Sequence, residues 1–423
     1  MQKITDMSHT EKVVNPFFTG ISIPDEFFCD RQKETMAIID LIRNGNNIVL
    51  KAQRRIGKSS LILHIFNQPQ IKQQYNTLYI DLFGTKNRDD FHLAFQNELI
   101  NAPFAKSAKI KQNFEVLLKG LHISLGEYNP ATGNYSLPSI GSTPSQIPLL
   151  PLEELFDYLE HTSKPNLVVF DEFQQIQYYP ERMAAIIRSF TQKMNNAKFI
   201  FCGSSKHLLT EMFQIANQPF YKSAQPLEIM PLPADTYSAF CKKLFQDYHK
   251  DITNEAVELL YLLFSGETAP MQETMNQVFS KTPVHAVADI ESVKDAVNAL
   301  LESRDTSYRE ILNRLDRANT RNTLFSIAAM GIADNLTSSQ IMKHYHLDNA
   351  SSVQKSLLAL QDEKSPLIRK LTKGVYVIDD RLFELWIARE GHYLDIKYGT
   401  AESRFQKQKE LESPAFNPAA PLA

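Results

Sequence analysis

The chain has 423 residues, 43% hydrophobic and 22% charged, with a formal net charge of −3. That length corresponds to about three domains with ample core, and the near-neutral charge excludes a global field drawing the molecule to nucleic acid or an anionic membrane, so any basic surface must be local. Cys29, Cys202 and Cys241 are scattered without metal-ligand or disulfide-framework spacing, residues 1–14 lack an apolar signal core, and no window reads as a spanning helix; a cytoplasmic protein without membrane association is expected.

After a flexible stretch over 1–14, a helix is predicted over 34–43. A strand over 48–51 follows and runs through Gln53-Arg54-Arg55-Ile56-Gly57-Lys58-Ser59-Ser60 into a helix over 59–67. A Gly-Lys-Ser turn placed between strand and helix meets the needs of a triphosphate. These are backbone N–H groups pointing inward, an ammonium near the β and γ oxygens, a hydroxyl for Mg2+ and the positive potential of a helix N-terminus. The amides from Gln53 to Ser60, the Lys58 ammonium and the Ser59 hydroxyl supply them. The consensus G-x-x-x-x-G-K-[ST] fails only at Ala52, where a methyl is tolerated if the loop entry keeps negative φ. The competing reading is a basic surface turn, with Arg54 and Arg55 as solvated flanks.

Apolar runs over 77–82, 166–170, 198–202 and 226–230, with a helix over 180–194 between two of them, complete five buried strands. The expected fold is α/β: a P-loop three-layer sandwich on a five-stranded parallel sheet, with its ligand at the carboxyl edge. The connection over 83–165 is unusually long; its part over 126–151 is rich in Pro, Gly, Ser and Asn, and 120–151 reads as an insertion rather than core.

The third strand ends in Phe170-Asp171-Glu172. Asp171 would hold Mg2+ through water opposite Ser59, and Glu172 would orient and polarise the water attacking the γ-phosphate. The fourth ends in Cys202-Gly203-Ser204-Ser205, where Ser204 or Ser205 either senses that phosphate or caps a helix over 207–213. Lys222 is either a further cation for the phosphates or a solvated loop lysine.

From 234 to 303 the pattern is helical, over 236–248, 254–264 and 290–302, and reads as a strand-free lid. Between 304 and 400, helices are expected over 308–315, 320–330, 338–345 and 353–360, the last capped by the turn from Leu347 to Ser352. Alternating runs over 367–371 and 374–379 around Lys373-Gly374 then form a hairpin, so this region reads as a winged helix-turn-helix. Ser351, Ser352, Gln354 and Lys355 would face a major groove, with Arg369, Lys370 and Lys373 beside phosphates. From 304 onward there are 17 Lys and Arg against 15 Asp and Glu, a surplus of only two, which limits non-specific affinity. Two kinds of partner therefore stay open: double-stranded DNA, or protein, including the chain's own core or a second copy in a homo-oligomer. Residues 401–423 read as a frayed tail.

Together these motifs resemble the archaeal-type P-loop ATPases, a branch of the STAND NTPases related to AAA+ proteins. The segments carrying the resemblance are Phe28-Cys29-Asp30-Arg31, Arg54 to Leu61, Val169 to Gln174, Cys202 to Ser205 and Pro219 to Ala224. The resemblance implies an ATP-binding core over 15–233, a lid over 234–303 and a winged helix over 304–400, acting as a nucleotide-controlled switch. By carry-over, Lys58 and Ser59 bind phosphate and Mg2+, Asp171 coordinates the metal, Glu172 is the base, and Asp30 and Arg31 line the nucleotide base. The chain departs from the family pattern at Ala52, at Lys222-Ser223 in place of Gly-Arg, and at Gly266, followed only at a longer spacing by Pro270. With DNA as partner the protein is a DNA-binding ATPase; with protein as partner it is a STAND-type signalling switch.

Overall fold

The computed structural model describes residues 15–106, 128–129, 134–135, 150–362, 366–391 and 398–412. The flexible stretch expected over 1–14, nearly all of the insertion over 120–151 and the end of the tail lie outside them. The chain divides into two compact units, Ile21–Met230 and residues 15–20 together with 231 onward.

In the first unit, strands β1 (Ile48–Ala52), β2 (Asn76–Asp81), β3 (Asn166–Asp171), β4 (Ala197–Gly203) and β5 (Gln225–Ile229) pair in parallel in the order β2-β3-β4-β1-β5. Strands β1, β3 and β4 are buried along nearly their whole length because both faces are covered, whereas β5, at the sheet edge, exposes Gln225, Pro226 and Glu228 and corrects the expectation of five buried strands. Val49, Leu78, Ile80, Val168, Phe170, Phe199 and Phe201 point into one core, and the alternate residues Ile48, Leu50, Leu167, Val169, Ile200 and Cys202 into another. Helices α1 (Gln32–Arg43) and α2 (Lys58–Asn67) supply the second core through Ile38, Ile42, Leu61 and Ile65.

The first core draws on the connection on both sides of the expected insertion. The connection over 83–165 contains two core helices, α3 (Arg88–Asn101) and α4 (Leu152–Glu160), which bury Phe91, Phe95, Leu99, Leu155, Phe156 and Leu159. Their short apolar stripes flank a long Pro- and Ser-rich stretch that dominates the local composition. The helix expected over 180–194 is shorter, α5 (Met183–Thr191), and α6 (Lys206–Gln214) follows β4. Phe170 lies 5.5 Å from Phe91, 5.8 Å from Phe95 and 6.1 Å from Phe201 between ring centroids. This packing anchors the residue immediately before Asp171.

The second unit opens with α7 (Ala234–Asp247), α8 (Asn254–Phe264), α9 (Thr268–Lys281) and α10 (Ile290–Ser303). Helix α9 was not anticipated, and a two-residue parallel pair, Asp251–Ile252 with Val287–Ala288, corrects the strand-free expectation. Phe17 is fully buried against Phe240, Phe245 and Phe279, and Asn15 donates to the Asn276 carbonyl at 2.8 Å.

Helices α11 (Asp305–Asn313), α12 (Ala318–Met330), α13 (Ser339–His344) and α14 (Ala350–Leu360), with the hairpin β6 (Ile368–Thr372) and β7 (Val375–Ile378), build helix, turn, helix and wing. Helix α14 begins three residues earlier than expected because the Asn349 side chain caps it, accepting from the Ser352 N–H. Helix α15 (Arg381–Glu390) follows. The frayed tail expected from 401 is corrected over its first part: α16 (Tyr398–Glu412) buries Ala401, sets Phe405 against Tyr261 at 5.8 Å and pairs Arg404 with Glu384. Its apolar anchors, Ala401, Phe405 and Leu411, are few and widely spaced, and apolar periodicity does not register them.

Candidate nucleotide site

Ala52 ends β1 as an ordinary strand residue, outside the positive-φ set, so its methyl is accommodated. The left-handed turns fall later, at Arg55 (φ 65°) and Gly57 (φ 86°). Alternation of this kind turns successive N–H groups inward to form an anion nest, and α2 starts at Lys58 with its own unpaired amides. Ile56 is buried beneath the loop, Gln53, Arg54, Gly57, Ser59 and Ser60 are half-buried, and Arg55 is exposed.

Lys58 is buried, and its ammonium ion-pairs with Asp171 and, at 3.1 Å, with Glu172. The Ser59 hydroxyl donates to Asp171 Oδ2 at 3.1 Å. Thus the loop lysine, the loop serine and the two acids ending β3 meet at one point of the sheet edge. Burial alone would lower the Lys58 ammonium, but the two carboxylates outweigh it and hold it above its usual value. The Cys202 thiol beside them is pushed well up by burial and stays neutral.

Burial would raise Asp171, whereas the Lys58 charge and donors from Lys58, Tyr79 and the Glu172 amide hold it below the usual carboxylate range. A carboxylate depressed in the folded state binds fewer protons there than in the unfolded chain. Its stabilisation is therefore present above the unfolded value of about 3.9 and is lost as pH falls through the folded one. Urea midpoints should drop on acidification below about pH 4. In Lys58→Met, where the depressing charge is gone, the drop should be smaller; an equal drop in both proteins would contradict this account.

Several neighbours of the acids carried no role in the sequence reading. Tyr79, on β2, donates to Asp171 Oδ2 across the strand pair. Gln174 donates its side-chain amide to Glu172 Oε2. Gln174 lies two residues beyond the acid pair, a proximity that could have flagged it; Tyr79 had no local signal. At the serine turn the helix-cap reading is not met, since Ser205 makes no side-chain cap on α6, and the Ser204 hydroxyl instead donates to Glu172 at 2.8 Å.

Arg31 is buried and reaches the phosphate loop, donating to the Ile56 carbonyl at 3.2 Å and the Met230 carbonyl at 2.7 Å while pairing with Glu34. Asp30, beside it, is exposed with φ 52°. Lys222 is exposed, and its ammonium lies 5.2 Å from the Tyr221 ring centroid in its own loop. It is not among the groups brought to the acids.

A phosphate nest entering a helix, set at the carboxyl edge of a parallel sheet beside a paired lysine and aspartate, defines a P-loop nucleotide-binding protein. A family model described as an ATPase domain predominantly from Archaea matches residues 28–273, more than half of the chain. The chain belongs to that family. A second model, described as a probable winged helix domain, matches residues 306–389.

Among solved structures, a Walker-type ATPase of Pyrococcus abyssi is similar at 19% identity and TM-score 0.58, covering 88% of this chain and 99% of its own; this likeness concerns the fold. The ORC2 protein of Aeropyrum pernix in ADPNP and ADP complexes has TM-score 0.49 at 10% identity, covering 94% and 97% of the two chains. The ORC1 protein of Aeropyrum pernix in complex with DNA has TM-score 0.47 at 12% identity, covering 86% and 93%. No curated protein matches the chain. Among the described residues, no helix is long and apolar enough to cross a membrane.

Proposed function

We propose that this chain hydrolyses ATP in a Mg2+-dependent reaction and that its winged helix engages double-stranded DNA. One observation carries the hydrolytic part: a buried ammonium at a helix N-terminus lies within ion-pair reach of both carboxylates ending β3. The hydroxyl and carboxylate oxygens of Ser59 and Asp171 are hard donors suited to Mg2+, with the remaining ligands expected from phosphate and water. When bound there, the ion would neutralise charge on the β and γ oxygens. Lys58 offsets charge on the same phosphates, the Gln53 to Ser60 amides cradle them, and Glu172 orients the attacking water. Arg31 braces the loop through the Ile56 carbonyl, beside the nucleotide base, with Asp30 next to it. Turnover by wild type and Lys58→Ala, alone and with duplex DNA, tests the reading; equal turnover by the two proteins would remove it.

For DNA, support comes from the outward face of α14, where Ser351, Gln354 and Lys355 are exposed, and from exposed Lys370 and Lys373 in the wing. If those three lysines each neutralise one phosphate, the logarithm of affinity should fall with the logarithm of salt with a slope of about −2.7. Lys370→Ala should reduce that slope by about 0.9. No retention of duplex at low salt would remove DNA as the partner. One observation favours a protein partner instead: Leu358, on the same helix, is 70% exposed. In that reading the chain is a STAND-type switch whose winged helix docks on protein.

A further inference from the structure

Glu172 is held more completely than orienting a water requires. Its backbone is left-handed, φ 51° and ψ 40°, a region that non-glycine residues occupy at a cost. Its Oε1 accepts from the Lys58 ammonium at 3.1 Å. Its Oε2 accepts from the Gln174 amide, from the Ser204 hydroxyl at 2.8 Å and from the Ser204 backbone N–H at 3.4 Å, which saturates that oxygen. Arg54 Nε donates to the same hydroxyl at 3.3 Å, so a phosphate-loop side chain reaches Glu172 through one intermediary.

The cost of the Gln174 contact is visible around it. A carboxylate offers no donor, so the amide nitrogen must face Glu172 and Oε1 must turn away. There Oε1 is buried without a hydrogen-bond partner. It also lies over Gly203, where an added Cβ would come within 1.9 Å of Oε1 and 3.0 Å of the amide carbon. An unpaired buried acceptor is destabilising, and an apolar side chain of similar length would fill the space without one. Packing therefore does not account for glutamine here.

We infer that Gln174 is a positioning residue that restrains Glu172, holding Oε2 on the Ser204 side of the sheet edge and away from the attacking water, with Gly203 leaving room for the amide. Arg54 ties this restraint to the phosphate loop. The inference rests on Glu172 being the base of the proposed reaction.

Gln174→Leu should raise kcat about three- to tenfold, the effect of one net hydrogen bond. KM and affinity for a fluorescent ADP analogue should be unchanged, and the thermal midpoint unchanged or higher because the unpaired acceptor is gone. Gln174→Met, which keeps the side-chain length, should behave alike. Gly203→Ala, whose methyl displaces the amide, should raise kcat in the wild type and add nothing to Gln174→Leu. An unchanged or lowered kcat in both Gln174 variants, or an independent effect of Gly203→Ala, overturns the restraint. Glu172→Gln separates the two levels. If it retains turnover, the base assignment itself fails; if it abolishes turnover while the Gln174 variants leave kcat unchanged, only the restraint fails.

Discussion

Lys58→Met should abolish measurable nucleotide binding and lower ATP turnover at least about a hundredfold, the scale of removing one preorganised charge-stabilising donor. It should also destabilise the first unit, because Lys58 and Asp171 are both almost fully buried and the substitution leaves the carboxylate without its counter-charge. Breaking a buried ion pair costs about 3 to 5 kcal/mol. Tyr79, Ser59 and the Glu172 amide still donate to Asp171, so the lower end of about 3 kcal/mol applies. For a unit of this size that is a drop of about 6 to 12 °C in thermal midpoint. The double variant Lys58→Met with Asp171→Asn should recover much of the midpoint and none of the turnover. If the single variant kept both its midpoint and its ADP affinity, the cluster would be neither a phosphate site nor a buried ion pair.

Glu384→Ala should be the most destabilising single change in the second unit. Glu384 is 1% exposed and accepts from Arg381 and from Arg404, the latter at 2.8 and 3.1 Å. Arg381 also donates to the Leu263 carbonyl at the end of α8, at 2.7 Å. Burial, with the nearby Arg404 charge, pulls the Arg381 guanidinium down to about 10, still far above neutrality, so it remains charged. Removing the acid leaves two guanidinium groups with only Glu267, among the described residues, nearby as counter-charge, at a cost of about 3 to 5 kcal/mol. Replacing all three residues by Met, Leu and Met, with Glu267→Gln to remove the remaining buried charge, should cost far less, because no charge is then desolvated. Trp386, the only tryptophan, is fully buried, and its indole N–H donates to Asp305 at 3.1 Å. Its fluorescence therefore reports urea unfolding of this unit directly. Equal midpoints for wild type and Glu384→Ala would mean the cluster is solvated.

The parts of the fold that could be read in advance share a local cause. All five core strands lie within one residue of their expected limits at either end, because a run such as 167–170 is apolar at every position, with alternate residues entering the two cores. The phosphate loop was equally legible, since its chemistry is confined to consecutive residues. Helices α3 and α4 were obscured by the composition of the segment between them. Helix α16 escaped notice because its anchors are an alanine, one aromatic ring, Leu411 and Arg404 rather than a continuous apolar stripe.

By itself, the order of residues determined that a parallel sheet would carry a phosphate nest at its edge and two acids at the end of a neighbouring strand. Each of those features depends on groups a few positions apart. Only the tertiary structure decided what surrounds the acids. Tyr79 lies 92 residues from Asp171, and Ser204 lies 32 from Glu172. They meet because the sheet places β2 and β4 on either side of β3. Strand order is set by how buried faces pack across the whole unit, so contacts between neighbouring strand ends emerge only once the sheet has assembled.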